Sequence, residues 1–176
     1  IAAIDTGGVV TQTGRHDLDV LIYATGFDIW DTRWPERVFG SDGQSLAAVA
    51  GEAPRAWLGM AVPGFPNFFS LLGPNTGLGH NSVVWLVECQ VNHIVRLMAP
   101  AAQAGQTNLE VRADVLQSYD ADIHARMQKR VWVRGGCASW YQHPDGMIRS
   151  LWPDSTVAFW RTLRRAALRD YRPRTH

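Results

Sequence analysis

A chain of 176 residues, 46% hydrophobic and 19% charged, can bury one core and is sized for one domain or a piece of a larger one. A formal net charge of +1 supplies no global field for gripping nucleic acid, and no run of about 18 apolar residues is present to span a bilayer. The two cysteines, Cys89 and Cys137, lie too far apart for a metal or redox spacing, so the expected setting is a reducing cytoplasm, with no metal, nucleic-acid or membrane partner.

The chain lacks an initiator Met, and Ile1-Ala2-Ala3-Ile4 reads as the middle of a strand, so we expect upstream sequence to flank it. Gly7 to Thr11, followed by Thr13-Gly14-Arg15, reads as a strand and a tight turn. After Asp19, the run Val20 to Ala24 suits a strand buried on both faces of a sheet, ending at Thr25-Gly26-Phe27-Asp28. Residues 29–56 mix Pro, Gly and charge with no sustained period and predict short elements at most. Pro63-Gly64-Phe65-Pro66 then leads into a short buried strand, Phe68 to Leu72.

Gly73 to Ser82 is a Gly-rich turn feeding a helix, with Asn81 or Ser82 as N-cap. That helix is expected over Val83 to Met98. Its first turns are apolar all round, as in a buried helix, and Pro100 is its stop. A second helix, Ala113 to Val131, carries the stripe Val115, Tyr119, Ile123, Met127 and Val131. Gly135-Gly136 opens a loop through Cys137, Trp140, Tyr141 and Gly146. A third helix, Thr156 to Arg169, follows Trp152-Pro153 and is capped by Asp154 or Ser155. The arginines from Arg161 to Arg174 read as a solvated helix face and tail rather than an RNA or membrane patch.

Two stretches can carry chemistry. A buried strand that stops at the small residues Ala24, Thr25 and Gly26 lets a ligand approach the carboxyl end of a sheet, the alternative being a plain strand end. The second is Gly73, Pro74, Asn75, Thr76, Gly77, Gly79, His80, Asn81 and Ser82. Strand, Gly-rich turn and helix N-terminus present backbone N–H groups to an electron-rich ligand, the alternative being a tight turn that binds nothing. No Gly-Lys-Ser/Thr follows, so this is no P-loop, and the G-x-G-x-x-G spacing is not met. The absence of a G-x-S-x-G elbow leaves a hydrolase without its nucleophile, and the six histidines show no paired metal spacing.

Three stretches carry a resemblance, in one order and across most of the chain. Asp19 to Asp28, with Ala24-Thr25-Gly26, resembles the "ATG" strand of class B flavoprotein monooxygenases. Pro63 to Phe69 and then Leu72-Gly73-Pro74-Asn75 is similar to the strand and loop returning to FAD in that family. Ala138-Ser139-Trp140-Tyr141, followed by Leu151-Trp152-Pro153, resembles the control loop and tail of its Baeyer–Villiger members.

The resemblance implies an α/β fold: the C-terminal fragment of a flavoprotein with two dinucleotide-binding, Rossmann-like domains, ending in a helical portion. Residues 1–98 would complete the FAD/NAD(P)-binding region, and 99–176 would form a helical segment with the control loop. The implied activity is FAD- and NADPH-dependent insertion of one oxygen atom from O2 into a ketone. Alternatives are oxygenation at nitrogen or sulfur, or a binding domain that retains the fold without catalysis. Both G-x-G-x-x-G turns, the F-x-G-x-x-x-H-x-x-x-W fingerprint and the segment with the active-site arginine are absent from these residues. The catalytic residues are therefore expected upstream, and the fragment alone is expected to be inactive. By the same resemblance, the helix after Ser82 would face the flavin. Trp140 and Tyr141 would cover the nicotinamide cofactor, and Trp132 would join them in an apolar pocket.

Overall fold

The computed structural model describes residues 1–25, 34–51, 53–106, 108–136, 140–143 and 145–174. Turns at 6–7 and 12–13 fold the first stretch into an antiparallel meander of β1 (Ala3–Asp5), β2 (Gly8–Thr11) and β3 (Gly14–Asp17). Val9 sits opposite Ile4 and His16. Arg15 clamps the outer strands, reaching Asp5 and Asp17 at 2.6 Å each.

The strand expected over residues 19–24 does not form. Val20, Ile22 and Tyr23 are 75, 81 and 71% exposed, and Ala24 and Thr25 are exposed with them. A strand buried on both faces needs neighbours on both edges and layers above and below. Among the described residues no strand pairs with this run. Gly26 lies outside the described residues.

Among the described residues of the 29–56 stretch the elements are short, as expected: a 3-10 turn at Trp34–Arg37 and α1 (Leu46–Ala50), whose first turn is capped by Ser45 Oγ accepting the Ala48 N–H at 3.1 Å. Residues 68–72, expected as a strand, form none. Asn67 and Leu72 take φ of 59° and 54°, which bends the chain out of the extended region at both ends. Single backbone bonds replace a ladder: Ser70 N–H to the Met60 carbonyl and Gly73 N–H to the Gly59 carbonyl.

α2 (Val83–Gln103) runs through Pro100 instead of stopping before it. A proline in the last turn removes one N–H where few helical bonds remain to be lost. The stop is at Gly105, whose φ of 67° places its N–H on the Ala102 carbonyl while Gln106 N–H reaches Ala101. This is a Schellman closure, and it favours glycine because a Cβ is disfavoured at that φ. Leu86, Gln90, His93 and Leu97 form the buried stripe.

α3 (Ala113–Met127) ends before Val131, which instead opens a separate short helix, α4 (Val131–Arg134), and is 72% exposed. The apolar stripe is real up to Met127, with Ile123 and Met127 fully buried. α5 (Thr156–Arg165) is capped by Ser155, as expected, through Oγ accepting the Ala158 N–H at 3.2 Å. It stops short of Arg169, and a 3-10 turn at Leu168–Asp170 follows. β4 (Asn108–Val111) pairs antiparallel with β5 (Tyr171–Arg174), a sheet the sequence did not announce.

The main core joins the turn at Trp57–Ala61 to α2, α5 and this small sheet. At its centre His93 is fully buried, with Nδ1 3.2 Å from the Leu163 carbonyl and Nε2 3.3 Å from the Tyr171 hydroxyl. Burial, reinforced by the nearby Arg96 charge, pushes its pKa down to about 4. The neutral ring therefore donates from Nδ1 to the carbonyl and accepts from the tyrosine, whose own pKa burial raises.

Candidate functional site

The Gly-rich loop is fixed from several sides. Thr76 Oγ1 donates to the Gly73 carbonyl at 2.7 Å. Asn75, 5% exposed, donates from Nδ2 to the carbonyls of Ile148 and Leu151 at 3.0 and 3.1 Å. Three backbone bonds continue the seam: Asn75 N–H to Arg149 at 2.7 Å, Gly77 N–H to Ser150 at 2.8 Å, and Trp152 N–H to Gly77 at 2.8 Å. The approach at Gly77 is close enough that an added Cβ would lie 2.7 Å from the Ser150 oxygen. Gly79 is different, since a Cβ there would meet only Trp132 Cζ2 at 3.6 Å, an ordinary contact.

Gly73, Pro74, Thr76 and Gly77 line a cavity of about 350 Å³, completed by Trp34, Leu72, Val83, Arg149 and Ser150. Its walls are mostly apolar. Val83 is the first residue of α2, so the positive end of a 21-residue helix opens here. Ser82 is the N-cap and its hydroxyl caps nothing, while Asn81 Oδ1 accepts the Ser82 N–H at 2.7 Å and its Nδ2 ties the loop to Thr156 at 3.1 Å.

The structure divides the sequence candidates. Residues 73, 74, 76 and 77 meet at the cavity, and Asn75 holds them from behind. His80 instead lines a second, open recess with Lys129, Arg130, Trp132 and Ser155. Ala24 and Thr25 are not among the residues lining the cavity. Trp140 is 44% exposed and packs on Tyr141 with ring centroids 4.0 Å apart. Tyr141 and Trp132 both rest on the small cluster of Met127, Ile148 and Leu151. Tyr141 is also linked to the cavity rim, its carbonyl accepting from Ser150 Oγ at 3.1 Å.

Asp145, Arg149 and Ser150 were not anticipated. The one available signal was Asp145-Gly146, a turn dipeptide between the bridged residues Gln142 and Ile148. Burial works to raise the Asp145 pKa, but the Met147 amide and the Arg149 guanidinium hold the carboxyl below its ordinary range. Among the described residues no group of three His, Cys, Asp or Glu side chains could hold a metal, and no helix is long and apolar enough to cross a membrane.

No family model matches the chain. It is 39% identical over 161 residues to a Baeyer–Villiger monooxygenase of Pseudomonas aeruginosa, covering 90% of this chain and 31% of that protein. It is 33% identical over 175 residues to a FAD-binding monooxygenase of Aspergillus niger, covering 97% of this chain and 29% of that protein. The cyclohexanone monooxygenase of Rhodococcus sp. Phi1, solved bound to NADP+, superimposes with a TM-score of 0.74 at 25% identity, over 97% of this chain and 33% of that one. The chain thus spans about a third of the length of the relatives it matches. Identity at this level over nine-tenths of the chain, on the same fold, places it in the flavoprotein monooxygenase family that includes the Baeyer–Villiger monooxygenases, as a C-terminal stretch of that architecture.

Proposed function

We propose that the whole protein is an FAD- and NADPH-dependent monooxygenase that inserts one atom of O2 into a ketone. In this reading residues 1–98 complete the flavin-binding region, and residues 99–176 add the loop over the nicotinamide cofactor. One observation carries it: the Gly73–Gly77 loop and the start of α2 converge on a single, mostly apolar cavity. The names of the relatives support the activity and its cofactors.

The residues present fit one edge of a flavin. About 350 Å³ is room for part of a flat ring system and not for a dinucleotide. Gly73 and Gly77 let the loop backbone close on the Gly59 and Ser150 carbonyls, where a Cβ would lie only 2.5 and 2.7 Å away, and so fix the wall of the cavity. FAD, when bound, supplies the redox chemistry with O2. The chain supplies the surroundings. The α2 N-terminus favours negative charge at the ring edge, and the apolar walls exclude water. Trp140 offers a broad, half-exposed face and one N–H donor, suited to a ribose or nicotinamide, and packs on Tyr141, whose carbonyl accepts from Ser150 of the cavity lining.

The test is Trp140→Ala in the full-length protein. Hydrogen peroxide released per NADPH consumed should rise severalfold, while FAD content and melting temperature stay near wild type. Unchanged coupling, or an unfolded variant, would remove the role given to Trp140. The 176-residue chain purified alone should be colourless and should not oxidise NADPH. A stoichiometric yellow protein would overturn that expectation.

A further inference from the structure

The segment from Ile148 to Leu151 serves two masters. Toward the proposed flavin loop it accepts the Asn75 side chain and the Asn75 and Gly77 amides. Toward the tryptophan loop it gives Ser150 Oγ to the Tyr141 carbonyl and bridges Gln142 at Ile148. The turn between them is tight: His143 N–H reaches the Met147 carbonyl, and Gly146 N–H returns to His143, each at 2.8 Å. Arg149 closes this turn onto the segment. Its Nη2 and Nε lie 3.0 and 3.3 Å from Asp145 Oδ2, and the guanidinium side chain is only 10% exposed. Asp145 Oδ1 in turn accepts the Met147 N–H at 2.8 Å and lies 3.1 Å from His143 Nδ1. On the other side, Arg149 Nη1 is 3.3 Å from His124 Nε2, which sits 3.1 Å from Asp120.

We propose that Arg149 is a positioning residue. Its ion pair with Asp145 latches the turn that follows Trp140 and Tyr141 onto the segment that holds the flavin loop. The placement of the tryptophan loop, and so its grip on the nicotinamide cofactor, is thereby set from the flavin side. The inference rests on the reading of Trp140 given above. A nearly buried guanidinium that loses its carboxylate is left with an uncompensated charge, so the pair resists opening more than a surface pair would. Arg149 also lines the proposed flavin cavity, whereas Asp145 does not, so Asp145 is the cleaner probe of the latch.

The experiment is hydrogen exchange on the full-length flavoprotein with and without NADP+, read at residues 141–148, together with NADPH kinetics. The variants are Asp145→Asn, Arg149→Met and Arg149→Lys. In the wild type, NADP+ should slow exchange of these amides about tenfold or more. Asp145→Asn and Arg149→Met should abolish that slowing and raise KM for NADPH about tenfold; in Asp145→Asn, whose side chain does not line the cavity, kcat should stay within about twofold. Arg149→Lys should recover part of both, since a lysine keeps the charge and loses the fork. Wild-type protection and KM in the Asp145→Asn and Arg149→Met proteins would overturn the proposal. So would loss of FAD or of exchange protection in α2 in the Asp145→Asn protein, which would make the pair a prop of the fold. If NADP+ protects nothing even in the wild type, yet Asp145→Asn still speeds exchange of the turn, the latch stands and the role of Trp140 falls.

Discussion

Residues 1–25 and the core around α2 and α5 both carry apolar runs, and they end in opposite environments. Val20, Ile22 and Tyr23 stand in solvent, while Leu86, Phe159 and Leu163 are sealed. The difference lies in partners. The α2 stripe finds α5 and the β4–β5 sheet within the described residues, whereas the run after Asp19 finds no strand to pair with. An apolar run states that a segment is built for burial; it does not say that the covering surface belongs to the same stretch of chain. In relatives three times as long, such a surface has room to exist.

The contrast can be broken most sharply at the core. Phe159→Ala removes a fully buried ring that meets Trp152 edge-on at 5.0 Å, and should cost about 3–5 kcal/mol in urea denaturation. A cost below 1 kcal/mol would mean that the core is not packed as described. Acid acts next. The fold holds His93 neutral down to about pH 4, whereas the unfolded chain takes up its proton near 6.5. Between those values the unfolded state binds more protons, so this contribution is complete above pH 6.5 and is lost as pH falls toward 4, by roughly 2–3 kcal/mol. His93→Gln should flatten that part of the stability profile.

Two glycines sharpen the comparison within the site. Gly77→Ala drives a Cβ against the Ser150 carbonyl and should cost about 2 kcal/mol as well as flavin occupancy. Gly79→Val has room at its first carbon, beside Trp132 and off the cavity lining, so in the full-length protein it should cost less stability than Gly77→Ala, and a selective fall in flavin content would put residue 79 at the flavin as well. Equal losses would make residue 79 a folding position only. The smallest effect belongs to the arm: Ile22→Ser should change the stability of this chain by less than about 0.5 kcal/mol. A larger loss would show that the run is covered after all.

These regions also explain what could be read from the sequence. The helices were legible because periodicity and caps are local, as with Ser155 and the stripe ending at Met127. Pro100 misled because its cost depends on how near the helix end lies, and that end is set by Gly105. β5 was hidden because Arg172-Pro173-Arg174 has no strand pattern, and proline is tolerated only where its missing N–H is not needed. Of the site, the glycines gave the loop away. Its division between the cavity and the recess of His80 depends on where Arg149 to Leu151 cross it, which no local pattern encodes.

The β4–β5 pairing has a kinetic side. Val111 meets Tyr171 across roughly sixty residues of intervening chain, so the loop-closure entropy falls due before the contact is rewarded. α3 and α5 can form locally and early, but Tyr171 must arrive before His93 gains its hydroxyl partner and the core its last ring. The slow step of folding should therefore be the docking of residues 171–174. Until then, a nascent chain would hold α2 with its buried imidazole side open to solvent.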